Sequence, residues 1–159
     1  MSTSHREDIE ALERRIELIF SNKELLKLAL TDSSSVSEPR KQRSRSNDQL
    51  ATLGDSVLNL TVAAHLYKKS QGSTAYSTSA VGDLTIGRSE LVNNKRLAQL
   101  ARQAALGDFI TRSAYVDQVG IGAKILSRAY EALIGAIYLD AGFEKATEFV
   151  NRFVIQLDH

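Results

Sequence analysis

Two long stretches of this chain are apolar on more than one helical face. Leu50, Leu53, Val57, Leu60, Ala64 and Tyr67 follow an i, i+3, i+7 progression, and Leu58, Val62 and Leu66 widen the stripe. A second run, from about Ala123 to Ala141, is apolar on most faces and stops at Gly142. A helix with two faces to hide must lie among other helices. Alternating runs rich in Val, Ile and Thr, the mark of half-buried strands, are nearly absent. The pattern predicts an all-α helical bundle with these two helices at its centre. With 159 residues, 43% of them hydrophobic, a single domain spanning 1–159 is the economical arrangement.

The other segments read as shorter helices and connections. Ser4 and Glu7 form a capping-box pattern, followed by Ile9, Leu12, Ile16 and Ile19 or Phe20 at helical spacing. A second cap signal at residues 21–24 precedes a short helix carrying Leu25, Leu26, Leu28 and Leu30. Residues 32–46 read as a loop, and Asn47 or Asp48 as the cap of the first long helix. Residues 70–80 read as a flexible connection and 80–92 as a helix. Asn93 and Asn94 break and cap a helix carrying Leu97, Leu100 and Ala101, with Gly107 as its left-handed end. Residues 113–123 read as a loop. Residues 143–157 read as a last helix with Phe149, Val150, Phe153 and Val154 inward.

Composition removes several classes of chemistry. There is no cysteine, so disulfides, thiolate metal sites and cysteine nucleophiles are excluded. The three histidines (His5, His65, His159) are far apart, which argues against zinc and Ser-His-Asp chemistry. No run approaches the ~18 apolar residues of a membrane span. The first residues carry no apolar signal core, and Glu7 and Asp8 argue against a presequence. The expected location is intracellular, cytoplasmic or nuclear, with an organelle left open. The net charge of +1 does not announce a nucleic-acid binder, but Arg40, Lys41, Arg43 and Arg45 fall within six positions. Closely spaced cations of this kind suit phosphate contact as well as a solvated loop. Lys68, Lys69, Arg88, Lys95, Arg96 and Arg102 are further candidate contacts.

Two blocks carry a resemblance. One runs Asn47, Asp48, Gln49, Leu50, Ala51, Thr52, Leu53, Gly54, Asp55, Ser56, Val57, Leu58. The other runs from Arg128 and Ala129 through Tyr130, Glu131, Ala132, Leu133, Ile134, Gly135, Ala136, Ile137, Tyr138, Leu139 and Asp140 to Gly142. Both resemble the signature blocks of the ribonuclease III family, in the same order, and the likeness extends over roughly residues 10–155. The resemblance implies an all-α endonuclease domain that dimerises and cleaves double-stranded RNA with magnesium. It places the four metal carboxylates at positions 51, 55, 128 and 131, of which only Asp55 and Glu131 are acids here. Ala51 and Arg128 occupy the other two ligand positions. The family's aromatic dimer anchor falls at Thr52, within a candidate interface of Leu50, Thr52, Leu53 and Val57.

Magnesium is held by several oxygen ligands. A cation ~4 Å from a divalent ion opposes it by on the order of 8 kcal/mol at an effective dielectric of ~20. Arg128 is therefore expected to pair with Glu131 or Asp55 and fill the metal's place. No cofactor is expected; a functional site would take Mg2+ on Asp55 and Glu131. The leading expectation is a catalytically impaired domain that dimerises, with itself or with another ribonuclease III-like subunit, and binds double-stranded or structured RNA or serves a ribonucleoprotein. One alternative is an active double-strand-specific endoribonuclease with a site rearranged around Asp48, Asp55 and Glu131. Another is a protein-interaction module without RNA binding. No double-stranded-RNA-binding domain is read in the sequence, so weak RNA affinity is expected of this chain alone.

Overall fold

The described residues are 3–38, 45–71 and 80–156 of a computed structural model. They form α1 (Thr3–Ile16), α2 (Lys23–Ala29), α3 (Asp48–Gln71), α4 (Ala80–Val92), α5 (Asn94–Gln103), α6 (Ala114–Val119) and α7 (Ala123–Val150). Short 3-10 turns lie at Ser33–Ser35 and Leu106–Phe109, and a π-helical turn at Asn151–Ile155 follows α7. Among the described residues there is no strand, only one isolated parallel bridge between Thr31 and Thr111. The fold is all-α, as the periodicity predicts. The readings made for 39–44 and 72–79 lie outside the described residues.

The two long helices are the centre of the bundle. Leu58 and Val62 of α3 and Leu133, Ile134, Ile137 and Val150 of α7 are fully buried, together with Leu12, Phe20, Leu26, Leu97, Leu106 and Val154 from the surrounding elements. The crossing of α3 and α7 depends on two glycines. A methyl group on Gly54 would stand 1.7 Å from the Glu131 carbonyl oxygen, and one on Gly135 would stand 2.2 Å from that of Leu50. Backbone therefore meets backbone, and the residues beside the crossing, Asp55 on one helix and Glu131 on the other, are brought together. The start of α3 is held separately: the Asn47 backbone N–H donates to Thr31 O at 2.8 Å, and its side-chain amide donates to Ala29 O at 3.1 Å.

Local chemistry departs from the sequence-based expectations at three places. The first helix stops at Ile16, because Glu17 adopts a left-handed φ of 55° and the Leu18 N–H closes back onto Glu13 O at 3.1 Å. This is a Schellman ending without glycine. Ile19 is 81% exposed, whereas Phe20 is buried. The left-handed residue after α5 is Ala105 (φ 49°), and Gly107 sits inside the following 3-10 turn. Residues 114–119 are helical, capped by the Ser113 hydroxyl, which accepts the Val116 N–H. Gly142, at φ 89°, breaks the last long helix as expected. Beyond it Phe149, Val150 and Val154 are buried and Phe153 is half-buried, with the Phe149 and Phe153 rings 4.9 Å apart.

Candidate functional site

The α3–α7 crossing assembles a cluster of charged side chains from the first half of each helix. Asp55, one residue after the Gly54 contact, is exposed. Its Oδ1 accepts from the Asn59 amide at 2.7 Å, one helical turn later. The Oδ1 of Asn59 accepts in turn from Arg88 Nη1 of α4 at 3.4 Å, a long and weak contact. On α7, Glu131 is half-buried. Burial, and after it the negative charge of Asp55, push its carboxyl up from 4.5 to about 7, while Arg128 pulls the other way. Glu131 is therefore about half protonated near neutral pH.

Arg128 does not behave as its position on α7 suggests. An i, i+3 neighbour is the obvious partner on one helix, yet its Nε lies 3.0 Å from Asp48 Oδ1, across the crossing in the first turn of α3. The expected pairing with Glu131 or Asp55 is thus replaced by a bridge to Asp48. The cause is electrostatic. Asp48 lies in the first turn of a 24-residue helix, where the helix dipole favours an anion. Glu131, half-buried and half-neutral, is the weaker partner. Ala51 is 1% exposed, so its methyl group is part of the core and offers no donor. Among the described residues, no three Asp, Glu or His side chains converge in a way that suits a metal ion.

The other candidate residues scatter. Arg40, Lys41 and Arg43 lie outside the described residues; Arg45 is exposed just ahead of α3. Lys68, Lys69, Arg88, Lys95 and Arg102 are exposed, but Arg96 is half-buried and donates from Nη2 to Val154 O at 2.7 Å. Of the four candidate interface residues, Leu50 and Val57 are buried in this chain's own core, Leu53 is half-buried and Thr52 is exposed. Thr52 turns its hydroxyl back onto Asp48 O at 3.1 Å. Leu60 and Tyr67 on α3 and Ile86 on α4 are among the large apolar side chains open to solvent. Leu60 and Tyr67 line a groove of about 490 Å³ together with Ala64, Leu84 and Arg88. Asn59 was not singled out by the sequence reading, although its i+4 spacing from Asp55 is the signal that finds it.

The comparisons agree with this architecture. A family profile described as ribonuclease-III-like matches residues 22–157. Ribonuclease 3 of Borreliella burgdorferi is 43% identical over 133 residues, covering 82% of this chain and 51% of that protein. Ribonuclease 3 of Campylobacter jejuni is 40% identical over 149 residues, covering 92% of this chain and 61% of that protein. A solved structure of the nuclease domain of ribonuclease III from Campylobacter jejuni, described by the flexibility of its region involved in dimer formation, superposes with a TM-score of 0.80. It is 40% identical, and the match covers 92% of this chain and 95% of that one. The chain thus spans about half to three fifths of the length of these curated relatives. With the profile covering most of its length and relatives at this identity, the chain belongs to the ribonuclease III family.

Proposed function

We propose that this chain is a ribonuclease III-like domain that does not catalyse magnesium-dependent cleavage, and that it works by binding double-stranded or structured RNA and by pairing with another domain of its kind. Its setting is RNA processing or a ribonucleoprotein, inside the cell. The observation that carries this reading is the Arg128–Asp48 bridge at 3.0 Å. Magnesium needs oxygen ligands in near-octahedral order and a net negative cage. At this crossing one ligand position is a buried methyl group, another is a guanidinium, and the third nearby acid, Asp48, is bonded to that guanidinium. The residues present do not fit the ion. The rearranged active site of Asp48, Asp55 and Glu131 would first have to break the same bridge.

Pairing is supported by a line of side chains rather than by the Leu50 and Val57 pair. Leu53, Leu60 and Tyr67 are spaced by seven residues and so share one face of α3, a spacing that suits helix-to-helix packing. Leu60 and Tyr67 are 58% and 57% exposed. The partner, whether a second copy or a different ribonuclease III-like subunit, would cover that face.

The test is a cleavage assay on long duplex RNA with magnesium and with manganese. No cutting above background is expected. Robust cutting that Asp55→Ala abolishes would overturn the reading.

A further inference from the structure

We propose that a groove between α3 and the last part of α7 binds a small organic phosphate, a phosphomonoester joined to an aromatic group as in a nucleoside monophosphate. The groove is separate from the α3–α7 crossing, and the inference is independent of the RNA-binding reading above. Helical spacing builds it. Thr61, His65 and Lys68 are four and three residues apart and share one face of α3. Beyond the break at Gly142, Phe143, Thr147 and Asn151 follow at intervals of four and share one face of α7 and its π-helical continuation. These two faces line a groove of about 560 Å³, to which Gln156 also contributes. Leu60 lines it as well, so the groove adjoins the face proposed for pairing.

The lining is rich in donors and carries no acid. Lys68 brings a positive charge and three N–H groups, His65 brings a ring N–H in either protonation state, and the amides of Asn151 and Gln156 bring two N–H groups each. Among the described residues no Asp or Glu lines this groove. Thr147 adds a further observation: its Oγ1 is buried and has no hydrogen-bond partner. Buried hydroxyls are nearly always paired. The wall thus holds a donor for which the protein supplies no acceptor. A cation with several neutral donors selects an anion with several acceptor oxygens, and a phosphate monoester is such a group. The volume lies within the ~300–1,000 Å³ of small-molecule clefts and is far more than a bare phosphate fills. Phe143 accounts for the remainder. Its ring is 44% exposed and meets Tyr138 edge-on, with centroids 6.4 Å apart. An exposed ring beside a cation is a platform on which an aromatic base stacks.

The experiment titrates the full isotope-labelled chain with AMP, adenosine and inorganic phosphate at constant ionic strength, read by amide NMR shifts. AMP is expected to saturate and to shift amides in 61–68 and 143–156, with adenosine and phosphate each binding at least about tenfold more weakly. Lys68→Gln should weaken AMP about tenfold and leave adenosine unchanged, because it removes a charge-assisted contact. Phe143→Leu should weaken AMP and adenosine alike and leave phosphate unchanged. Thr147→Val, which keeps the shape of the side chain, should weaken AMP severalfold without lowering the Tm of the free protein. Lys145→Ala, a cation elsewhere on α7, should bind AMP as wild type does. No saturable shift in these segments overturns the proposal, and so does AMP binding left unchanged by both Lys68→Gln and Thr147→Val.

Discussion

Replacing Glu131 by glutamine should make the protein more stable at pH 8 and leave it nearly unchanged at pH 5. The half-buried carboxyl prefers its neutral form, with its pKa pushed from 4.5 to about 7 by burial and by Asp55. For an acid whose pKa is higher folded than unfolded, the folded chain holds the extra proton, and stability falls as pH rises between the two values. The contribution is fully present below about 4.5 and lost as pH passes through about 7. At ~1.36 kcal/mol per pH unit the ceiling is roughly 3.4 kcal/mol. The side chain is only partly enclosed, and screening by solvent takes more than half of that, leaving about 1–1.5 kcal/mol. Glutamine keeps the shape of the neutral acid and cannot lose a proton, so it retains the low-pH stability at every pH. In a chain of this size that corresponds to a rise in Tm of about 3–5 °C at pH 8. Denaturation at pH 5, 6.5 and 8 provides the measurement, with Asp55→Asn as a companion that should shrink the wild-type pH dependence by removing the like charge. A variant no more stable than wild type at pH 8, or equally more stable at pH 5, would refute the reasoning.

The remaining predictions concern packing and binding. Gly54→Ala and Gly135→Ala should each cost about 3 kcal/mol or more, because the new methyl group meets helix backbone at 1.7 Å and 2.2 Å and the two central helices must separate; urea midpoints read this directly. Millimolar magnesium should leave the Tm unchanged to within about 1 °C, since an ion without a site gives no linkage; a rise that grows with concentration and vanishes in Asp55→Asn would count against the absent metal site. Asp140→Ala should cost about 1–2 kcal/mol, because the carboxylate accepts the backbone N–H groups of Ser21 at 2.8 Å and Asn22 at 2.7 Å and thereby docks the α1–α2 connection; the loss should appear as earlier hydrogen exchange around residue 20.

The central pair of helices was legible in the sequence because two-sided apolar patterning leaves a helix nowhere else to go. Caps of two shorter helices were also legible: Asn22, before α2, does accept the Glu24 N–H, and Asn93, before α5, the Arg96 N–H. What escaped depends on backbone placement that no periodicity reports. The six residues of α6 are too few to show a helical period, although Ser113 carried the cap signal. Glu17 and Ala105 take left-handed conformations normally given to glycine, so composition pointed to Gly107 instead. Leu50 and Val57 read as part of a dimer interface, whereas both are buried within this chain.

The partner of Arg128 is the most informative of these differences. Spacing along one helix pointed to Glu131, but the crossing at Gly54 and Gly135 brings the first turn of α3 within reach of α7. The guanidinium lies against Asp48 in the first turn of α3, while burial and Asp55 push the Glu131 carboxyl toward its neutral form. The exchanges at positions 51 and 128 then make joint physical sense. An acid at each position would gather carboxylates that repel one another unless a divalent ion is bound. With a buried alanine at 51 and an arginine at 128, one acid is bridged, one accepts from an amide, and one is half protonated near pH 7. On the reading proposed above, the exchanges that take two ligands from an ion also lower the repulsion among the carboxylates through the Arg128–Asp48 bridge, while Asp55 still pushes the Glu131 carboxyl up.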